Sequence, residues 1–218
     1  MMRYKQYITQ TLEGIPQGIP IYTTDIARKV AERFNIPLSQ AKKLVNLNMP
    51  RIVDGLDIER YQKGIYFKSK KTAFGKTKLN PMLVVRDNYL VNNGKTIGYE
   101  TGASFLNNIG LTTQIPKYKY YATNAVLHRG TRIDEKKQIA LKKPKVEVDE
   151  ENYLYLQILD AIENMEKIPT DIDDVLTVFY QYIEKKGLKL ERLFNLAVNY
   201  YKKDTLVKLG EVAAVGGS

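Results

Sequence analysis

Three groups of side chains have types and spacing that could do chemistry. The first is Ser39, Gln40, Lys42, Lys43 and Asn46, in the stretch IPLSQAKKLVNLNMPRI that begins at Ile36. Hydroxyl, amide and ammonium groups at this spacing suit nucleic acid. An amide can pair twice with adenine, and an ammonium reaches the acceptors of guanine. The competing reading is an ordinary amphipathic helix with a wetted N-terminal end. The second group is Asp171, Asp173 and Asp174, whose neighbouring carboxylates could hold a divalent cation for a nuclease or nucleotidyltransferase reaction. Such a reaction also needs an upstream Gly-Ser turn and a strand-borne acid pair, and the sequence offers neither. Complementing a helix dipole accounts for the three aspartates more simply. The third is His128, the one histidine, with no acid or nucleophile beside it in sequence. It is assigned to a structural or surface position.

Missing residue types close other routes. There is no cysteine, which excludes disulfides, thiol nucleophiles and cysteine-ligated zinc. The G-x-x-x-G of TIGYETGAS lacks the Lys and the Ser/Thr of a phosphate-cradling loop. No catalytic residue, metal site or cofactor is therefore assigned, and no enzymatic activity is expected. No apolar run approaches the length that spans a bilayer. The N-terminal MMRYKQYITQ lacks the apolar segment of a secretory signal, so a cytoplasmic protein without a membrane partner is expected.

Charge is distributed unevenly. The chain carries +10 overall. Residues 1–80 hold 15 Lys and Arg against 6 Asp and Glu (15 − 6 = +9), and residues 81–218 hold 19 against 18 (+1). A basic surface for a polyanion on the first part follows from this asymmetry.

The elements that must position the first group follow from hydrophobic period. MMRYKQYITQTLEGI spaces Tyr4, Tyr7, Ile8, Leu12 and Ile15 as a helix, ended by Gly14 and Pro16. IPIYT suits a short strand. TDIARKVAERFN is a second helix, capped by Thr23 or Thr24 and burying Ile26, Ala27, Val30 and Phe34. After the break at Asn35-Ile36-Pro37, LSQAKKLVNLNM is a third, burying Ala41, Leu44, Val45 and Met49. Pro50 bends or stops it. Two β-type runs, LDIERYQ and IYFKSK, then flank Lys63-Gly64 as a hairpin. Tyr61, Tyr66 and Phe67 are read as core or hairpin contacts.

That order is the order of a winged helix-turn-helix over residues 1–76. In such a unit the second helix of the motif enters the major groove by its N-terminal end. Ser39, Gln40 and Lys43 would meet base edges. Lys42 and Asn46 would hold phosphates, and Thr24 and Arg28 would approach the backbone. Lys63, Lys68, Lys70, Lys71, Lys76 and Lys78 would follow a flanking phosphate strand or the minor groove. A protein-docking winged helix is the rival reading.

AFGKTKLNP reads as a linker into residues 77–218. Asn93-Gly94 is a turn, and Thr101 caps a helix carrying Ala103, Phe105, Leu106 and Ile109 up to Gly110. KYKYYATN is a strand, with further strand character at Arg132-Ile133. From Glu147 the chain turns helical: EENYLYLQILDAIENM, then TDIDDVLTVFYQYIEKKG from a Thr cap, LKLERLFNLAVNYY and DTLVKLGEVAA, with a frayed VGGS end. The fold class is thus α+β, with a mixed α/β part at 77–146 and a helical bundle at 147–214. Residues 147–174 contain ten acids and one base, Lys167, and are read as a solvated acidic face that could dock a basic partner.

Two segments together carry a family likeness. RYQKGIYFKSKKTAFG, of the form R-x-x-x-G-x-Y, precedes GYETGASFLNNIGLTTQIPKYKYYATN. The order resembles that of AbiEi-like antitoxins of type IV toxin–antitoxin systems, over roughly residues 3–133. A closing L-x-K-L-G at Leu206 to Gly210 extends it. The resemblance implies a first domain that binds double-stranded operator DNA and represses its own operon. It implies a second, residues 77–218, that counteracts a nucleotidyltransferase toxin. By matching position, the DNA contacts would be Ser39, Gln40, Lys42, Lys43 and Asn46, with Lys63 and Lys68 in the wing. No residue of the antitoxin domain is assigned a role, and the oligomeric state is left open.

Overall fold

The computed structural model describes residues 3–217. It is an α+β structure whose chain forms two compact units, Met1–Val84 and Val85–Ser218. The division falls beyond the sequence boundary at 76/77. The reason is packing: Leu79 and Val84 are buried with Ile65 and Phe67 of the first unit.

In the first unit, α1 (Tyr4–Glu13) buries Ile8 and Leu12. Met1 and Met2, placed in this helix by the sequence reading, lie outside the described residues. Strand β1 (Pro20–Tyr22) leads directly into α2 (Thr23–Phe34). Neither Thr23 nor Thr24 caps α2, contrary to expectation. The capping position falls on Tyr22, whose side chain makes no capping bond to the helix, and the Thr23 amide instead donates to the Gly64 carbonyl at 3.0 Å. Asn35 ends α2 in the left-handed region, at φ 49°. Short polar side chains tolerate that conformation better than most.

Helix α3 (Leu38–Val53) buries Ala41, Val45, Met49 and Ile52. Leu44, expected in the core, is only half-buried. Pro50 does not stop α3, which continues one turn beyond it. Pro50 removes one N–H, and the carbonyl left without it belongs to Asn46, on the exposed side of the helix where water can bond it. The packed Ile52 keeps the last turn folded.

Strands β2 (Ile58–Gln62) and β3 (Ile65–Lys68) form the expected hairpin, and β3 also pairs with β1, giving the antiparallel order β1-β3-β2. Gly64 turns the tip at φ 78°. The stretch read as a linker is partly a second, smaller hairpin, β4 (Lys71–Thr72) with β5 (Gly75–Lys76). Helix α4 (Pro81–Tyr89) spans the division between the units.

The second unit opens with β6 (Val91–Asn92) and β7 (Lys95–Thr96) around Asn93-Gly94, both at positive φ (51° and 77°). This is the two-residue turn that Asn-Gly favours. Strand β8 (Gly98–Thr101) runs into α5 (Gly102–Asn108). Then come β9 (Lys119–Thr123), β10 (Thr131–Asp134) and β11 (Ile139–Lys142). The sheet order is β10-β11-β9-β8, parallel only between β11 and β9. Four helices follow: α6 (Tyr153–Asn164), α7 (Val175–Lys185), α8 (Leu190–Tyr200) and α9 (Lys203–Val215). Their apolar faces share one core with α5, in which Leu106, Leu159, Phe179, Leu193 and Leu209 are buried.

Two expectations for this unit fail at helix ends. Thr101 stands at the start of α5, but its hydroxyl donates to Asp160 rather than capping the helix. Helix α7 begins at Val175, with Asp174 as its cap, and not at Thr170. The tail is helical as far as Val215, while Ser218 lies outside the described residues.

Candidate nucleic-acid interface

Helix α3 divides sharply between its two faces. Four buried side chains, Ala41, Val45, Met49 and Ile52, recur at intervals of three and four and hold the helix against α1 and α2. The opposite face presents Ser39, Gln40, Lys43 and Asn46, with Lys42 at its edge, and all five are exposed. None of their side chains has a partner among the described residues. The first turn of α3 contains no acid, so the partial positive charge of the helix end adds to the field of Lys42 and Lys43. Chemically this face can donate and accept hydrogen bonds and attract an anion. Two leucines share the helix surface, Leu38 at 41% and Leu47 at 58% exposure.

The remaining sequence candidates sort into free and engaged groups. Thr24 is exposed in the first turn of α2. Arg28 lies one turn on, and its guanidinium already pairs with Asp25 at 3.0 Å. Lys63 is exposed at the tip of the first hairpin. Lys68 folds back, donating its ammonium to the Glu13 carbonyl at 2.7 Å, where it satisfies the C-terminal end of α1. Lys70 and Lys78 are exposed. Lys71 stands 3.9 Å from Asp57, and Lys76 pairs with Glu59 at 3.1 Å. The Lys76 ammonium and the Ser69 hydroxyl hold the Glu59 carboxyl below its ordinary range.

The sequence reading passed over Phe74. It sits at the tip of the β4–β5 hairpin, fully exposed. The Phe74 amide donates to the Thr72 hydroxyl at 3.2 Å, and that hydroxyl donates to the Gly75 carbonyl at 2.7 Å. Gly75 takes φ 102°, which no side-chain-bearing residue adopts easily. The signal in the sequence is an aromatic-glycine pair between Thr72 and Lys76.

In the second unit the three aspartates are not gathered around a common point. Asp171 accepts from both the amide and the hydroxyl of Thr113, the latter at 2.8 Å. Those bonds hold its carboxyl below the ordinary range. Asp174 accepts from the Thr177 amide at 3.1 Å as the cap of α7, and the Thr177 hydroxyl together with that amide holds its carboxyl below the ordinary range. Asp173 is exposed. Among the described residues, no group of three or more His, Cys, Asp or Glu side chains could hold a metal ion. His128 is exposed in the loop between β9 and β10.

The acidic stretch is less a solvated face than a set of separate bonds. Glu150 accepts from the Thr96 amide at 2.9 Å, Glu163 pairs with Lys145 at 2.6 Å, and Glu166 pairs with Lys208 at 2.9 Å. Asp160 is buried at 1% exposure, contrary to the solvated reading. It accepts from the hydroxyls of Tyr99, Thr101 and Tyr201 at 3.1, 3.2 and 3.0 Å, and pairs with Lys142 at 2.6 Å. Burial and the neighbouring carboxylate push the Tyr99 and Tyr201 hydroxyls well above the ordinary tyrosine range, so both are protonated donors. An acid inside the apolar run QILDAI was the visible sign of this centre.

No helix among the described residues is long and apolar enough to cross a membrane. No protein-family model matches the chain, and no curated protein matches it.

Proposed function

We propose that the chain is a DNA-binding regulator whose first unit is a winged helix-turn-helix, with α3 as its reading helix and the β2–β3 hairpin as its wing. One observation carries this: Ser39, Gln40, Lys43 and Asn46 are exposed, without side-chain partners among the described residues, on the face of α3 opposite its packed stripe. That arrangement leaves hydroxyl, amide and ammonium groups together on one face, available to a ligand. In the major groove, Gln40 and Lys43 would read base edges, while Lys42, Asn46 and Lys63 would hold phosphates. Phe74 adds an exposed ring flanked by lysines, a group suited to wedging at a base step. Arg28 and Lys68 contribute less than their positions in sequence suggested, because each has a partner within the chain.

The AbiEi-like resemblance extends the reading to an antitoxin that represses its own operon and counteracts a nucleotidyltransferase toxin. On that reading, α6 to α9 form the helical bundle of the antitoxin half. Coexpression with the nucleotidyltransferase of a neighbouring reading frame checks this part, through survival of the host.

The DNA reading is checked by fluorescence anisotropy on a duplex from upstream of the protein's own reading frame, titrated with salt. Log affinity is expected to fall by about 0.9 per phosphate contact for each unit of log salt. Gln40→Ala with Lys43→Ala is expected to remove sequence preference without changing thermal stability. Equal affinity of parent and double variant for specific and scrambled duplexes sinks the reading. Exposed Leu38 and Leu47 favour a second reading, a protein-docking helix, which no duplex binding at any salt concentration would bring forward.

A further inference from the structure

The second unit contains a cleft of about 570 Å³ that the DNA reading does not use. It is lined by Arg129 just before β10 and Thr131 at its start, by Lys142 at the end of β11 with Lys143 and Lys145 after it, and by Tyr200 at the end of α8. Its size falls within the range of small-molecule sites. No carboxylate is among its lining residues.

Two of the four cations are answered from beneath. Lys142 pairs with Asp160 and Lys145 with Glu163, each at 2.6 Å. Arg129 and Lys143 have no acidic partner among the described residues. Four positive charges less two negative ones leave two uncompensated at the rim. The floor is firmly held. Asp160 ties Lys142 to three hydroxyls, and the Lys145 ammonium stands 4.3 Å from the centre of the Tyr201 ring. Tyr200, the residue before that anchored tyrosine, is 47% exposed and gives the cleft an aromatic wall.

A ligand that answers two uncompensated cations, a hydroxyl and an aromatic face carries both a phosphate and a flat ring. We propose that this cleft binds a nucleotide unit, its phosphate held by Arg129 and Lys143 and its base stacked on Tyr200. The unit is either a free nucleotide or part of a single strand. The proposal stands without the duplex reading of α3.

The test is calorimetric titration of the full chain with ATP and with GTP, beside anisotropy of a labelled single-stranded 12-mer. Saturable binding of either probe is expected. Arg129→Ala with Lys143→Ala should weaken it by about tenfold or more, the scale of lost hydrogen bonds to charged groups. Tyr200→Ala should weaken it by about tenfold, the scale of one lost stacking contact. Lys43→Ala should leave ATP and GTP binding unchanged. Binding of the mononucleotides identifies a free ligand. Binding of the 12-mer alone, lost in the same variants, identifies a strand. The proposal is overturned if neither probe binds, or if binding survives both the cation and the Tyr200 substitutions while circular dichroism reports folded variants.

Discussion

On α3, Lys42 and Lys43 stand in solvent with no acidic partner among the described residues, whereas in the second unit Lys142, Lys145 and Lys208 each end on a carboxylate. The residue type is the same and the setting differs. A lysine closed on a carboxylate has its charge answered within the fold and serves architecture. A lysine left open on the far side of a packed helix keeps its charge in solvent and remains available to an anion. The same distinction runs inside the first unit, where Lys68 and Lys76 are closed and Lys42, Lys43 and Lys63 are open. Net charge alone would treat all of them alike.

The largest expected effect tests the closed class. Asp160→Ala leaves Lys142 and three hydroxyls without their shared acceptor. It should cost about 3–5 kcal/mol of stability in urea denaturation, the scale seen when one partner of a buried pair is removed. Asp160→Asn should cost less, because an amide oxygen still accepts from the hydroxyls. A loss below about 1 kcal/mol for the alanine variant would mean that the carboxylate does not organise this unit.

A smaller effect separates closed from open lysines directly. Lys68→Met removes the ammonium from the Glu13 carbonyl and should cost about 1 kcal/mol. Lys43→Ala should stay within about 0.5 kcal/mol of the parent. For duplex affinity the order should reverse, with Lys43→Ala the more damaging. The same order in both assays would break the comparison.

The smallest effect is a pH dependence. The Thr113 amide and hydroxyl hold the Asp171 carboxyl below its ordinary range. Its contribution is therefore complete above the unfolded carboxyl pKa, about 4. It is lost as pH falls through the lower folded value. The difference in melting temperature between the parent and Asp171→Asn should be present at neutral pH and vanish on acidification. A difference that persists unchanged in acid would assign the bond no ionic character.

Much of the first unit was legible. The stripes Ile8-Leu12, Ile26-Ala27-Val30 and Ala41-Val45-Met49 carry helical period unbroken by tertiary demands, and Gly64 marks the hairpin. The five residues proposed on α3 were legible for the same reason, since the face opposite a buried stripe must be outside. Strand β11 was not. Ile139, Ala140 and Leu141 are all buried, so the alternation that identifies a half-exposed strand is missing. The β4–β5 hairpin failed in the opposite way, because its residues are all exposed and polarity there looks like a linker. The start of α7 was ambiguous because TDIDD offers several caps. Asp171 was removed from contention by Thr113, a residue distant in sequence.

By itself, the sequence determined where the helices of the first unit lie, which of their faces are buried, and that positive charge concentrates in the first third of the chain. Those properties are local or additive, fixed by period and by counting. Tertiary structure alone decided which lysines are open, that Asp160 is a buried centre rather than a wetted acid, and that Arg129, Lys143 and Tyr200 line one cleft. Such facts depend on which distant groups meet, and the strength of a charge depends on its neighbours and on its exposure to water.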